Sequence, residues 1–264
     1  MTTAPIALTI AGSDCSGGAG LQADLKTFQH FGVFGTSAVT CVVAETPSEV
    51  RSIHPIPPAI VLDQLILLFE NYPIAAIKTG MLYSAEIMAG VLDILSEHPQ
   101  IPVVIDPVML ASTGDPLTDS QSRESFNEAL LRRGTLITPN LDEAETLGQT
   151  RITDETSQAA AARELSAKYG TGILLKGGHL HSAECLDIYQ NGIERADFVA
   201  PRIETPASHG TGCTLSAAIT AGLALGKPMT DAIGDAKTFL NQSLAHSLSL
   251  GSQAALNQGT RLPD

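Results

Sequence analysis

The sequence predicts an α/β protein with a mainly parallel sheet and helices on both faces. Short apolar runs alternate with longer amphipathic segments over most of the 264 residues. Glycine, asparagine or aspartate follows most of the apolar runs, which marks the passage from strand to loop to helix. This alternation is typical of parallel sheets covered on both sides. No linker-like stretch and no internal repeat interrupts it, so we predict one domain over residues 1–264.

The first half of the chain is predicted to contain four strands and three helices. The strands are Ile6–Ala11, Thr36–Val43, Ile74–Lys78 and Pro102–Ile105. The helices run from the glycine loop to about Gly32, from Pro57 to Tyr72 and from Ser84 to Ser96. Between the second strand and the second helix, the segment Glu45–Glu49 is predicted to be a polar break.

The second half continues the alternation and adds an antiparallel pair. The predicted elements are a helix near Asp119–Leu131, a strand Thr135–Thr138, a helix capped by Asn140, a helix Ser157–Tyr169, a strand Ile173–Lys176, an antiparallel pair Glu184–Gln190 and Phe198–Ile203, a helix Thr214–Gly226 and a helix from Met229 to about Leu248. Asn191-Gly192 is the turn of the antiparallel pair. From about residue 249 the chain is rich in small polar residues, which predicts a frayed tail.

Composition excludes several classes of partner. The chain has 15 basic and 28 acidic residues, for a formal charge of −13, whereas binding to a phosphate backbone needs clustered Lys and Arg. We therefore expect neither a nucleic-acid partner nor a membrane partner. The four cysteines show no zinc spacing, and no signal peptide or membrane span is predicted, which favours reduced thiols and a cytoplasmic location.

The glycine turn His209–Cys213 is the strongest local signal in the chain. It precedes an uncharged run of small residues that predicts a buried helix, and the first N–H groups of such a helix can bind a phosphate or an oxyanion. Cys213 lies in this turn, where the helix terminus is expected to lower the pKa of the thiol towards thiolate. The alternative is an ordinary glycine connection with Cys213 as an apolar filler. A Walker phosphate loop is excluded, because no Gly-Lys-Ser/Thr follows the glycines.

Charged and polar residues follow several of the other predicted strands, and ligands bind at that edge of such sheets. Asp106 and Glu143 are candidates for holding Mg²⁺, and Lys176 with its two following glycines is a candidate phosphate clamp. Asp24 is either a surface acid or a contact to a substrate hydroxyl, and His209 is a turn residue, a phosphate donor or a partner that orients Cys213. A metal ion, a lysine, an anion hole and a base are the groups that enzymes use for phosphoryl transfer.

At these residues the sequence resembles the hydroxymethylpyrimidine/phosphomethylpyrimidine kinases of thiamine synthesis, which belong to the ribokinase-like superfamily. Six segments match in family order, namely residues 11–27, 78–82, 106–117, 138–145, 175–179 and 209–218. The resemblance implies a three-layer αβα fold and ATP-dependent phosphorylation of a hydroxymethyl group, then of its monophosphate. It also implies Mg²⁺ as cofactor, a homodimer, and activity on pyridoxal-type substrates as an alternative.

The resemblance also implies roles for individual residues. Cys213 would be the base, where other ribokinase-like enzymes have an aspartate. The anion hole would be formed by Gly210, Thr211 and Gly212, and the metal environment by Asp106 and Glu143. Phosphate or ATP would be contacted by Lys176, His209 and Asn140, and the substrate pocket would be lined by Gly12, Asp24 and Met81. The loop 107–118 would fold over the site.

One segment departs from the family pattern. Where the family has Thr-Ala-x-Thr-Ala-Gln-Asn-Thr, with the glutamine on the pyrimidine, this chain has Thr40–Pro47 with Glu45 at the glutamine position. Glu45 is therefore a substrate-binding candidate with altered chemistry. Two rival hypotheses remain open: a cysteine hydrolase or acyltransferase using Cys213 and His209, and a kinase-like protein that binds a pyrimidine without turning it over.

Overall fold

The computed structural model describes residues 4–108, 128–178 and 184–259. Its centre is a nine-stranded sheet in the order β3-β2-β1-β4-β5-β6-β7-β8-β9. The strands are β1 Ile6–Asp14, β2 Phe34–Thr46, β3 Glu49–Pro55, β4 Ile74–Thr79, β5 Val103–Ile105, β6 Leu136–Ile137, β7 Gly172–Lys176, β8 Glu184–Asn191 and β9 Glu194–Pro201. Strands β2, β1, β4, β5, β6 and β7 run parallel, while β3, β8 and β9 are antiparallel to their neighbours.

The helices described lie on both faces of this sheet. They are α1 Gly20–His30, α2 Pro58–Asn71, α3 Ala85–Glu97, α4 Glu128–Arg133, α5 Leu141–Gly148, α6 Glu155–Tyr169, α7 Thr211–Ala224 and α8 Met229–Ala245. Successive side chains of a strand point to opposite faces of the sheet, and each face carries its own hydrophobic core. Val103 and Ile105 pack on the side of α2–α6, and Val104 packs on the side of α7 and α8. The predicted fold class, a three-layer α/β structure with a mainly parallel sheet, is confirmed.

The small residues of α7 explain how this helix approaches the sheet so closely. Ala217, Ala221 and Ala224 pack against Ala7 and Ala76 of the central strands β1 and β4. Because alanine side chains are short, the helix axis lies near the sheet, and its first turn reaches the carboxyl ends of the strands. The predicted buried helix of small residues is thus confirmed, and it begins at Thr211, three residues earlier than predicted.

Two predictions about irregular segments are wrong. The polar break predicted at Glu45–Glu49 is the end of β2, a short turn and the start of β3, a strand that sequence reasoning missed. The tail predicted to be frayed instead forms the hairpin β10 Leu248–Leu250 and β11 Gln253–Ala255, and the following residues Leu256–Gln258 are buried. Pairing between neighbouring strands overrides the polar composition in both places.

Other predictions extend beyond the described residues. Of the helix predicted near Asp119–Leu131, only the part from Glu128 is described, as α4. The loop 107–118, expected to fold over the site, lies outside the described residues after position 108. Within the ranges that the structure describes, no helix has both the length and the apolar character needed to cross a membrane.

Candidate active site

The carboxyl ends of the parallel strands and the first turn of α7 meet at one edge of the sheet. Lys176 ends β7, and its Nζ lies 3.5 Å from Oδ1 of Asp106, which follows β5. Ser216 in α7 donates a hydrogen bond of 3.2 Å to the other carboxylate oxygen of Asp106. Strand ends that were predicted to share one edge from their sequence positions are therefore in contact with each other and with the glycine turn.

The glycine turn before α7 is built by a close approach of two backbones. Gly210 has a φ of +82°, and a Cβ placed on it would lie 2.0 Å from the carbonyl oxygen of Gly18. Only glycine meets both conditions, because other residues rarely adopt this φ and would collide with the loop after β1. The turn is thus fixed against that loop by the absence of a side chain.

The first turn of α7 leaves backbone donors for a ligand. Thr211 N–H donates to Ser208 and Thr214 N–H donates to Gly210. Gly212 and Cys213 lie between these two residues in the sequence. Among the residues described, their N–H groups have no backbone acceptor. A Cβ placed on Gly212 would lie 3.3 Å from Lys176 Nζ and 3.6 Å from Asp106 Oδ2. An oxyanion held by these N–H groups would therefore also lie beside the Lys176 ammonium.

Lys176, Asp106 and Glu143 form a largely buried charged group, the Lys176 cluster. The ammonium lies 3.5 Å from Asp106 and 4.0 Å from Oε2 of Glu143. Burial raises the pKa of Glu143 to about 7, with Asp106 adding to the rise and Lys176 opposing it. Burial alone would lower the pKa of Lys176, but the two carboxylates raise it above its ordinary value. Lys176 therefore remains a cation at the site where phosphate charge would be bound.

Asn140 and Glu143 are held by the start of α5. The Asn140 side chain accepts from Glu143 N–H at 2.9 Å, and Glu143 Oε2 accepts from Asn140 N–H at 2.7 Å. This reciprocal capping box confirms that Asn140 caps the helix, and it fixes the Glu143 carboxylate beside Lys176. A direct ATP contact from Asn140 stays a prediction.

The two carboxylates of the Lys176 cluster are suitable ligands for a magnesium ion that the protein binds through only a few side chains. Carboxylate oxygens suit Mg²⁺, which commonly keeps several waters and is completed by substrate phosphates. In the parts of the chain described, no group of three or more His, Cys, Asp or Glu side chains is arranged to enclose a metal. Two carboxylates near Gly212 and the start of α7 suit such a phosphate-bound ion.

Cys213 lies where predicted, but its pKa is not what the helix terminus suggests. Burial raises the pKa of this thiol to about 12; the Lys78 ammonium lowers it, Asp106 and Asp24 raise it, and a hydrogen bond from Gly20 N–H lowers it. The expected thiolate is therefore wrong for the protein without ligand, since burial outweighs the field of the helix. Cys213 is a neutral thiol at neutral pH.

A buried ion pair beneath the site went unrecognised in the sequence. Lys78 Nζ contacts both carboxylate oxygens of Asp24, at 2.7 and 2.8 Å, and Thr9 donates to Asp24 at 2.6 Å. Both charged side chains are fully buried. Burial alone would lower the pKa of Lys78, but Asp24 raises it above its ordinary value. A lysine at the end of an apolar strand was the available signal, because a buried lysine needs an acidic partner.

This pair corrects the role expected of Asp24. The sequence offered a surface acid or a contact to substrate, and the resemblance favoured the substrate pocket. The structure shows neither, because Asp24 has no exposed surface and its oxygens are bound to Lys78 and Thr9. Asp24 is the counter-ion of Lys78.

His209 faces the loop after β1. Its Nε2 lies 2.9 Å from Asp14 Oδ2, and Asp14 also accepts from Ser16 and from Ala19 N–H. Burial alone would raise the pKa of Asp14, but the hydrogen bonds from His209, Ser16 and Ala19 lower it to about 2. Asp14 is therefore a carboxylate that organises the glycine loop and joins it to the turn before α7. For Nε2 of His209, the contact shown is with Asp14 and not with Cys213; a phosphate contact stays a prediction.

Glu45, Gly12 and Met81 lie around the ends of β1 and β2. A Cβ placed on Gly12 would meet Cys41 Sγ at 2.7 Å and Met81 Cε at 3.2 Å. Cys41 and Glu45 share one face of β2, and the Cys15 thiol ties the Glu45 backbone to the loop after β1. Burial and the nearby Asp14 carboxylate raise the pKa of Glu45 to about 7, while His209 lowers it. The Cys15 contacts thus hold Glu45 against the loop after β1, where Asp14 contacts His209 of the glycine turn.

The arrangement has the parts that phosphoryl transfer needs. Backbone N–H groups and the Lys176 ammonium can hold phosphate charge, two carboxylates can hold a metal, and Cys213 lies at the same helix terminus. A cysteine hydrolase at Cys213 would leave Lys176, Asp106 and Glu143 without a role. The geometry therefore favours transfer of a phosphoryl group over hydrolysis at Cys213.

Comparison with known proteins agrees with this geometry. The family model described as phosphomethylpyrimidine kinase matches residues 14–257. A hydroxymethylpyrimidine/phosphomethylpyrimidine kinase of Haemophilus influenzae is 43% identical over 249 residues, which cover 92% of each chain.

Two solved structures share the fold. An ADP complex of Bacillus subtilis pyridoxal kinase has a TM-score of 0.89 at 34% identity, covering 97% of this chain and 98% of that one. A phosphomethylpyrimidine kinase from Clostridium difficile 630 has a TM-score of 0.80 at 34% identity, covering 90% of this chain and 98% of that one. This chain belongs to the phosphomethylpyrimidine kinase family.

Proposed function

We propose that the protein is an ATP- and Mg²⁺-dependent kinase that phosphorylates the hydroxymethyl group of a pyrimidine, and then its monophosphate, in thiamine synthesis. The observation that carries this proposal is the Lys176 cluster, which lies beside Gly212 at the start of α7, next to Cys213. Membership of the family and the ADP complex of a similar pyridoxal kinase support the use of ATP. We further propose that the enzyme acts as a homodimer in the cytoplasm.

Each residue of the site has a separate role in the proposed reaction. The substrate hydroxyl oxygen attacks the γ-phosphorus of ATP, its proton passes to Cys213, and the bond to the β-phosphate oxygen breaks to release ADP. Lys176 and the N–H groups of Gly212 and Cys213 balance the charge on the transferred group. Because Cys213 is a neutral thiol without ligand, it first loses its own proton to solvent, and the thiolate so formed accepts the proton of the substrate hydroxyl. Asp106 and Glu143 would hold Mg²⁺, which neutralises phosphate charge when bound.

A second candidate function is the phosphorylation of a pyridoxal-type ring alcohol. Two observations favour it: the Bacillus subtilis pyridoxal kinase matches this fold with a TM-score of 0.89, and Glu45 replaces the glutamine expected to contact the pyrimidine. Both candidates share the same phosphoryl-transfer residues and differ only at the ring. Glu45 therefore decides between them.

A single assay separates these functions. ADP release is measured with Mg²⁺ and ATP over a panel of pyrimidine and pyridine alcohols, at matched concentrations. We expect the highest kcat/KM for hydroxymethylpyrimidine, and the second candidate replaces the first if a pyridine alcohol is preferred. Tight binding of a pyrimidine without any ADP release would show that the protein only binds it.

Glu45 is expected to make pyrimidine phosphorylation depend on pH. A glutamine offers the ring one donor and one acceptor; a protonated carboxyl does the same, and an ionised carboxylate offers acceptors only. A group with a pKa of about 7 is roughly nine-tenths ionised at about pH 8. We therefore expect Glu45→Gln to raise kcat/KM for hydroxymethylpyrimidine about tenfold at that pH, and to be close to wild type at about pH 6.

The ratio of the two enzymes is the informative quantity, because every other ionisable side chain is common to both. Glu49→Gln, an exposed change on β3, is the matched control and should leave the pH profile unaltered. A ratio of Glu45→Gln to wild-type kcat/KM that does not rise between about pH 6 and about pH 8 would show that the ring is recognised by other groups.

The magnesium requirement is expected to change with either carboxylate of the Lys176 cluster. Glu143→Gln and Asp106→Asn keep the side-chain shape and remove a charge, so each should shift half-maximal activation to Mg²⁺ concentrations about tenfold higher. Titration of activity against Mg²⁺ at fixed ATP measures the shift. Asp142→Asn, on the exposed side of the same turn of α5, is the control. If all three variants follow the wild-type curve, these carboxylates do not hold the metal.

A further inference from the structure

The segment after β11 is packed into the protein next to the active site. Leu256, Asn257 and Gln258 are all buried. Asn257 N–H donates to the Ser243 carbonyl of α8 at 3.2 Å, and the carbonyl of Gly259 lies 2.9 Å from His30 Nδ1 at the end of α1. The segment is thus held on both sides, by the two helices that flank α7.

Gln258 connects the two loops that form the anion site. Its Nε2 donates to the Gly18 carbonyl at 3.2 Å and to Thr214 Oγ1 at 2.8 Å. Gly18 lies in the loop after β1, and Thr214 follows Cys213 in the first turn of α7. The Gly18 carbonyl is also the atom that a Cβ on Gly210 would strike. One buried amide therefore fixes the carbonyl against which the glycine turn packs.

The same segment also reaches the ring end of the site. Gln253 Nε2 in β11 donates to Ser48 Oγ at 3.3 Å, in the turn between β2 and β3. Ser48 is three residues after Glu45. The hairpin and the residues after it therefore contact both the loops beside Cys213 and the turn beside Glu45.

We propose that Gln258 is a positioning residue for phosphoryl transfer, because its amide holds the Gly18 loop and the first turn of α7 in register. It contacts neither reacting group and acts through Gly18 and Thr214. This proposal rests on the proposed kinase function, since its main effect is on kcat. A small displacement of the N–H groups of Gly212 and Cys213 would weaken charge stabilisation in the transition state without removing any ligand contact.

Kinetics of five single variants and one double variant test the proposal. In Gln258→Leu we expect kcat to fall about ten- to a hundredfold, with KM for ATP within about twofold of wild type. Gln258→Glu lacks the donor N–H groups and should show the same loss. Thr214→Val removes one acceptor and should add little to Gln258→Leu in the double variant, while Thr214→Ser keeps the acceptor and should retain wild-type kcat. Gln242→Leu, the same substitution at an exposed position of α8, is the matched control.

A second measurement does not depend on activity. Hydrogen exchange of the ligand-free protein should be faster in Gln258→Leu for the amides of Ala19 and Thr214, which are bonded within the two loops. Unchanged exchange at both amides would overturn the positioning role. So would wild-type kcat in folded Gln258→Leu, or an equal loss of kcat in Gln242→Leu. A wild-type protein inactive on every alcohol would instead count against the proposed function, and the exchange experiment would still decide the role of Gln258.

Discussion

The Cys213→Ala variant is expected to bind ATP as the wild type does and to lose roughly 10²–10⁴ in kcat. The loss is what a positioned base contributes when proton transfer accompanies attack of a hydroxyl. ATP affinity should hold because Lys176, Gly212 and the start of α7 are unchanged. Calorimetry measures the affinity, and the ADP-release assay measures kcat.

The pH dependence of kcat identifies Cys213 more sharply than the loss alone. Because its pKa is about 12, wild-type kcat should rise between about pH 6 and about pH 9 as more of the thiolate forms. Cys213→Asp supplies a more acidic base than the thiol, so it should restore part of the activity and move the rise to lower pH. Cys185→Ala, on β8, is the control and should behave as wild type. Near-normal turnover by Cys213→Ala would refute the assignment.

Lys78→Met is expected to destabilise the protein by about 3–5 kcal/mol, the usual cost of leaving a buried charge without its partner. The change removes both hydrogen bonds from Nζ to the Asp24 carboxylate, which has no access to solvent. Urea unfolding at neutral pH, followed by circular dichroism, measures the free energy of unfolding. The variant should also unfold at a clearly lower urea concentration with little change in the denaturant slope.

The double variant Lys78→Met/Asp24→Asn separates the cost of the unpaired charge from the loss of packing. It removes both charges and keeps an acceptor for Thr9, so it should recover most of the lost stability. Lys227→Met breaks an exposed ion pair with Asp235 and should cost less than about 1 kcal/mol. If Lys78→Met costs no more than Lys227→Met, the buried pair does not stabilise the fold.

Sequence reasoning found most of the sheet because burial on both faces makes each parallel strand a continuous apolar run. Ile74–Lys78 and Ile173–Lys176 were predicted within one residue of the observed strands β4 and β7. It missed β3, whose residues are half exposed and polar, and the hairpin β10–β11 for the same reason. Edge strands outside the core carry little hydrophobic pattern, so their pairing depends on neighbours that are distant in sequence.

In the candidate site, sequence reasoning located residues better than it assigned their partners. Lys176, Asp106 and the glycine turn meet at the carboxyl edge of the sheet. The sequence predicts this meeting, because the strands and the helix that place them there can be recognised from their residue patterns. The partners of Asp24 and His209 lie 54 and 195 residues away, and no local pattern encodes them. The pKa of Cys213 was wrong for a related reason: the helix terminus is visible in the sequence, whereas the degree of burial is not.

The sequence separation of the loop contacts has a consequence for the order of folding. The Asp14–His209 contact closes 195 residues, and the bond from Gln258 to Gly18 closes 240. Contacts between residues so far apart in the sequence form slowly, because closing a long loop costs chain entropy before the contact adds any stabilisation. We expect the sheet around β1 and β4 to acquire protection first in refolding, and the anion site to form last. Catalytic competence should therefore lag behind the recovery of secondary structure.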